Sequence, residues 1–178
     1  MVEGAVAGRG RRILIDGRSG SGKTELARAI VDDWPGAQLV RLDELYPGWD
    51  GLAAASTLVP HILTADSVPT WDWAAHEPGP RRTLDPSRPL VVEGVGAISR
   101  ASRPLADFAI WVALPDAARK RRALDRDGDL FEPHWDRWAQ QEREFIDREH
   151  PESLADVIVD GTHAANWRAL LEPARVFG

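Results

Sequence analysis

Five short apolar runs punctuate the chain, at residues 12–16, 37–40, 90–92, 108–114 and 157–159. The stretches between them follow a different period. Over residues 23–33, Leu26, Ala27, Ile30 and Val31 recur at three- and four-residue spacing, which predicts an amphipathic helix. Further helices are expected at 116–126, with Asp116 placed to cap the first turn, at 135–148 and at 163–171. Apolar runs alternating with helices imply βαβ units around a buried parallel sheet.

Two stretches break this rhythm. Residues 46–89 carry six prolines (Pro47, Pro60, Pro69, Pro78, Pro80 and Pro86) ahead of Pro89, and an Arg81-Arg82 pair. That is too long for a simple connection, and loops beyond about 12–15 residues in compact domains are typically functional lids or binding loops. The second stretch, 126–133, reads as a charged turn between two helices. No internal repeat is present, which excludes a solenoid.

The chain has 178 residues and a mass of 19.6 kDa, the size of one domain with one substantial core. Its 22 basic and 28 acidic residues give a net charge of −6, which argues against a broad polyanion-binding surface and so against nucleic acid as the main partner. Of the basic residues only Lys23 and Lys120 are lysines; the rest are arginines. The absence of cysteine excludes disulfides, thiolate metal sites and cysteine nucleophiles. No apolar run approaches the ~20 residues that span a bilayer, and residues 1–12 lack the apolar stretch of a secretory signal, so a cytoplasmic protein is expected.

The strongest chemical signal is GRSGSGKT at residues 17–24, directly after the first apolar run and directly before the first helix. It matches G-x-x-x-x-G-K-[ST] in full. Phosphate oxygens need a concave ring of backbone N–H donors, and Gly17, Gly20 and Gly22 keep that backbone open, with Ser19 and Ser21 between them. The helix N-terminus adds its dipole. Lys23 reaches the β- and γ-phosphates in this reading, and the Thr24 hydroxyl ligates Mg²⁺. Glu93, at the end of the run 90–92, is placed where strand C-termini meet the ligand crevice, as a Mg²⁺ or water-orienting carboxylate. Asp43, just past the second run, stands at the same edge as a further metal-side acid or as the group that accepts a hydroxyl proton; Glu44 is the alternative base. Arg121, Arg122 and Arg126 suit a clamp that forks onto phosphate oxygens. Trp71 and Trp73, two apart on an expected strand, would share one face and offer a planar ring a surface to stack on. Trp34, Trp111 and Trp167 are expected in ordinary packing.

Taken in order from Ile13 to Gly161, these landmarks resemble the uridine kinase and phosphoribulokinase-like group of P-loop kinases. Leu42-Asp43-Glu44-Leu45-Tyr46 is similar to the group's segment whose first acid is the catalytic base and whose Tyr lines the substrate pocket. The stretch from Val68 through Trp71-Asp72-Trp73 to His76 looks like its aromatic-Asp-aromatic-x-x-His segment, where the aromatics and His hold a nucleobase. Glu93-Gly94 matches its Glu-Gly after the third strand, residues 119–127 its Arg-rich lid, and residues 154–161 its final strand. The hairpin that carries an Asp for a ribose diol is shortened here, with Trp49-Asp50 as its remnant. The resemblance implies a three-layer P-loop kinase fold: a five-stranded parallel sheet with helices on both faces, a short lid at about 119–133 and an acceptor-binding insert at about 46–88. It implies ATP and Mg²⁺ as cofactors. The acceptor would be a small hydroxyl compound, a nucleoside first, with another hydroxylated metabolite or an antibiotic second and a regulatory NTPase as the contrasting class.

Overall fold

A computed structural model describes residues 10–162; the expected helix at 163–171, and Trp167 with it, lies outside them. The elements run β1 (Arg12–Asp16), α1 (Lys23–Asp33), β2 (Gln38–Arg41), α2 (Leu52–Ile62), β3 (Ser67–Asp72), β4 (Glu77–Thr83), β5 (Leu90–Glu93), β6 (Phe108–Ala113), α3 (Asp116–Phe131), α4 (Trp135–Glu149), α5 (Pro151–Leu154) and β7 (Val157–Asp160). Five strands pair in parallel in the order β2-β5-β1-β6-β7. Each coincides with one of the apolar runs to within two residues.

The runs are continuous because the sheet is covered on both faces. Ile13 and Ile15 of β1, with Val91, Ile110 and Val112, pack against Leu26, Ala27 and Ile30 of α1. Leu14, Val92 and Ala109 face the opposite way, into a larger core with Leu52, Ala55 and Val59 of α2 and Trp138 and Phe145 of α4. Trp111 is buried, and Trp34 is half-buried against the α1 layer, as ordinary packing requires. No described helix is long and apolar enough to cross a membrane.

Residues 46–89 are more ordered than their proline content suggests. They hold α2, whose Leu52, Ala55, Ser56, Val59 and Ile62 are buried at helical spacing, and an antiparallel β3–β4 hairpin. Pro60 obscures the helix in the sequence, because proline is costly in a helix interior. The hairpin tolerates Pro69, Pro78 and Pro80 because in a two-stranded ribbon both strands are edges. Residues 126–133 are likewise not a simple turn. Helix α3 continues to Phe131 through a kink at Gly128 (φ 47°, ψ −130°), and a 3₁₀ turn at Glu132–His134 leads into α4.

Candidate functional site

The strand order reverses around β1, and open α/β sheets bind ligands at the carboxyl ends of the strands flanking such a reversal. The glycine loop leaves β1 there and enters α1, whose N-cap, Gly22, sits at φ 104° and makes no side-chain bond. The first turn of α1 thus starts with no side-chain cap over its N–H donors. The loop is tightly framed. A Cβ on Gly20 would lie 2.2 Å from the Arg119 carbonyl oxygen, and one on Gly161 would lie 1.8 Å from the Ser21 carbonyl oxygen. Glycine is therefore required at both positions by neighbouring backbone, before any phosphate is considered. Gly20, Gly22, Lys23, Thr24, Arg122 and Arg126 line a cleft of about 370 Å³, completed by Gly161 and Thr162. Gly17 and Ser21 are buried beneath it, and Ser19 turns to a second cleft.

Lys23 is nearly buried, its ammonium donating to the Arg18 carbonyl at 3.1 Å. The Thr24 hydroxyl donates to Glu93 Oε1 at 3.0 Å. Arg41, at the end of β2, reaches Glu93 at 3.3 Å and Asp43 at 3.4 Å, so one guanidinium bridges the two acids. Burial, then the charge of Asp43, pushes the Glu93 carboxyl above the usual range, against the pull of Lys23 and Arg41. Thr24 and Glu93 are a hard-oxygen pair suited to Mg²⁺, which takes one or two carboxylates and completes its shell with phosphate and water. No cluster of three or more metal-ligating His, Asp or Glu occurs among the described residues.

The second cleft, of about 780 Å³, adjoins the first through Arg126, which lines both. It is lined by Asp43, Tyr46, Trp49, Trp73 and His76 together with Phe131, His134 and Trp138. Trp49 stacks on His134 at 4.3 Å between ring centroids and lies 5.1 Å from Trp73. The Tyr46 hydroxyl donates to the Val95 carbonyl at 2.7 Å, and its ring meets the edge of Trp138. The Trp73 indole N–H donates to the Asp43 carbonyl at 2.8 Å, tying the hairpin to the candidate base.

Several expected residues fall elsewhere. Trp71 and Trp73 do not form a stacked strand face. Trp71 is on β3, whereas Trp73 lies in the following turn, which Asp72 closes by accepting the N–H groups of Ala74 and Ala75 at 2.9 Å; Trp73 alone of the pair lines the cleft. Asp50 is exposed and ion-paired with Arg137 of α4, outside the cleft lining. Arg121 is exposed and lines neither cleft, because Arg122 and Arg126, four apart, share the helix face turned to the loop. Glu44 pairs with Arg82 at 3.2 Å, leaving Asp43 as the acid at the cleft.

Solved structures align with this chain over most of its length. A possible uridine kinase of Bacillus stearothermophilus is 21% identical, covering 88% of this chain and 92% of that one with a TM-score of 0.57. A gluconokinase of Sinorhizobium meliloti 1021 is 19% identical (94% and 93%, TM-score 0.58), and the shikimate kinase of Acinetobacter baumannii 17% (95% and 96%, TM-score 0.56). The fold is that of the P-loop kinases. No family model matches the sequence, and no curated protein matches it either.

Within this P-loop kinase fold, sequence reasoning missed several residues that shape the site. Asp16, at the end of β1, accepts the N–H groups of Gly17 (2.6 Å), Gly96 (3.2 Å) and Ile98 (2.8 Å); complete burial outweighs these donors and raises its pKa to about 7. Arg41 bridges Glu93 and Asp43. Glu142 of α4 has no exposed surface and accepts the Ser19 N–H at 2.7 Å. The signals were present: Asp16 ends an apolar run, and Glu142 falls in the buried register of Trp138 and Phe145.

Proposed function

We propose that this protein is an ATP- and Mg²⁺-dependent kinase that transfers the γ-phosphoryl group to a hydroxyl of a small acceptor. One observation carries the reading: a glycine-loop cleft and a roomy aromatic cleft adjoin, sharing Arg126, with Asp43 on the acceptor side. A regulatory NTPase has no need of the second cleft. The structural likeness to a possible uridine kinase, a gluconokinase and a shikimate kinase supports the same class of reaction.

The geometry supports a division of labour. The loop N–H groups and Lys23 hold the donor phosphates, and Arg122 and Arg126 neutralise charge on the transferring group from the lid side. Thr24 and Glu93 would hold Mg²⁺, which offsets phosphate charge. Asp43 accepts the proton of the attacking hydroxyl, held in place by Arg41 and by the Trp73 contact to its carbonyl.

The acceptor cleft selects a class. Its lining is dominated by Trp49, Trp73, Trp138, Tyr46 and Phe131, and its cation, Arg126, also serves the phosphate cleft. That favours an uncharged ring-bearing alcohol, a nucleoside first, over a sugar acid. The test is a panel of nucleosides, sugars, sugar acids and aminoglycoside-like alcohols with MgATP, read as acceptor-dependent ADP release. A response to neutral ring-bearing alcohols is expected; ADP release at the water background for every acceptor would return the protein to the regulatory class.

A further inference from the structure

Resting on the nucleotide-binding reading above, we propose that Glu142 is a positioning residue that holds the glycine loop in its phosphate-binding shape through the backbone of Ser19. Ser19 is gripped at both of its peptide groups. Its N–H donates to Glu142 Oε1 at 2.7 Å, and its carbonyl accepts from the Arg119 guanidinium at 3.0 Å. The two side chains that grip it are themselves linked: Glu142 Oε2 lies 3.8 Å from Arg119 and accepts from Arg18 Nε at 3.0 Å, while Arg119 donates to Asp116 at 2.6 Å. Glu142 and Arg119 are both at most 2% exposed.

Burying such a pair is expensive, and well-packed apolar residues of similar volume would serve stability as well or better. A purely structural account of an acid in the register of Trp138 and Phe145 is therefore weak. The glycine loop supplies the need. With three glycines in six residues its backbone has little conformational preference of its own, so the shape that presents the N–H donors must be imposed from outside. Helices α3 and α4 impose it at one residue. Helix α4 also carries Trp138, one turn earlier, so the same rigid element forms a wall of the acceptor cleft and fixes the phosphate loop.

Two substitutions separate positioning from stability. Glu142→Asp keeps the charge that Arg119 and Arg18 require but is one methylene shorter, which breaks the reach to the Ser19 N–H. Glu142→Gln keeps the reach and removes the charge. MgADP affinity by titration calorimetry and Tm are measured for both alongside wild type. Losing a hydrogen bond to a charged group should weaken MgADP binding by about tenfold or more in Glu142→Asp, with a smaller fall in Tm than in Glu142→Gln. Glu142→Gln should bind MgADP within about threefold of wild type but melt earlier, because the buried Arg119 loses its counter-ion. If Glu142→Gln does not fold, Glu142→Asp decides by itself. Wild-type affinity in Glu142→Asp, or affinity losses that track Tm losses in both variants, would reduce Glu142 to a packing role and overturn the proposal. Wild-type protein that binds no MgADP would instead overturn the nucleotide reading on which it rests.

Discussion

Replacing Asp43 by asparagine removes the proposed proton acceptor and leaves almost the same shape. The side chain is 49% exposed and pairs with Arg41 at 3.4 Å, so the lost ion pair costs at most about 1 kcal/mol of stability and shifts Tm by no more than about 4 °C. The chemical effect should be far larger. Positioned base catalysis is worth about 10²–10⁴-fold, or roughly 3–5 kcal/mol of transition-state stabilisation, and kcat should fall by that factor. The assay is acceptor-dependent ADP release with the acceptor found in the panel screen, paired with MgADP titration, where affinity should move less than about threefold. Glu44→Gln is the control: it breaks only a half-exposed pair with Arg82 and should leave kcat within about twofold. A dead Glu44→Gln beside an active Asp43→Asn would refute the placement of the base, and with it the roles of Tyr46 and Trp73.

Lys23→Ala should abolish turnover and weaken MgADP binding while the circular dichroism spectrum stays unchanged; retained kcat and affinity would remove Lys23 from the phosphate site. Glu93→Gln should raise the Mg²⁺ concentration needed for half-maximal activity, and an unchanged Mg²⁺ titration would leave Glu93 a structural acid bonded to Thr24 and Arg41. Asp16 gives a pH dependence of stability. Its pKa of about 7 in the folded state exceeds the 3.8 of an ordinary aspartate, so between those pH values the native protein holds the extra proton. Stability is then greatest below pH 4 as far as this group is concerned and declines as pH rises through 7, by at most about 4 kcal/mol, with Glu93 acting in the same direction. Asp16→Asn should flatten that slope in Tm against pH; an unaltered slope would mean another group carries it.

Whatever depends on local pattern could be read along the chain. Runs buried on both faces of a parallel sheet are continuously apolar, α1 repeats its apolar residues at helical spacing, and GRSGSGKT is a backbone shape written in glycines. These signals lie within a dozen residues of chain, and strand positions, the first helix and the glycine loop were legible from them. Tertiary structure decided whatever depends on distant residues meeting. Helix α2 was hidden by Pro60, and the hairpin by prolines that only an isolated ribbon tolerates. Trp71 fell outside the aromatic cleft and Trp138 joined it, because a side chain's direction in a turn is set by local bonds such as those to Asp72, and cleft walls are assembled from separate elements. Asp50 went to Arg137, and Arg121 turned away from the helix face that carries Arg122 and Arg126. Glu142 reached the loop from 123 residues away in sequence. A buried acid is costly unless something answers its charge, and which residues answer it is fixed by how helices pack in space, which spacing along one chain does not encode.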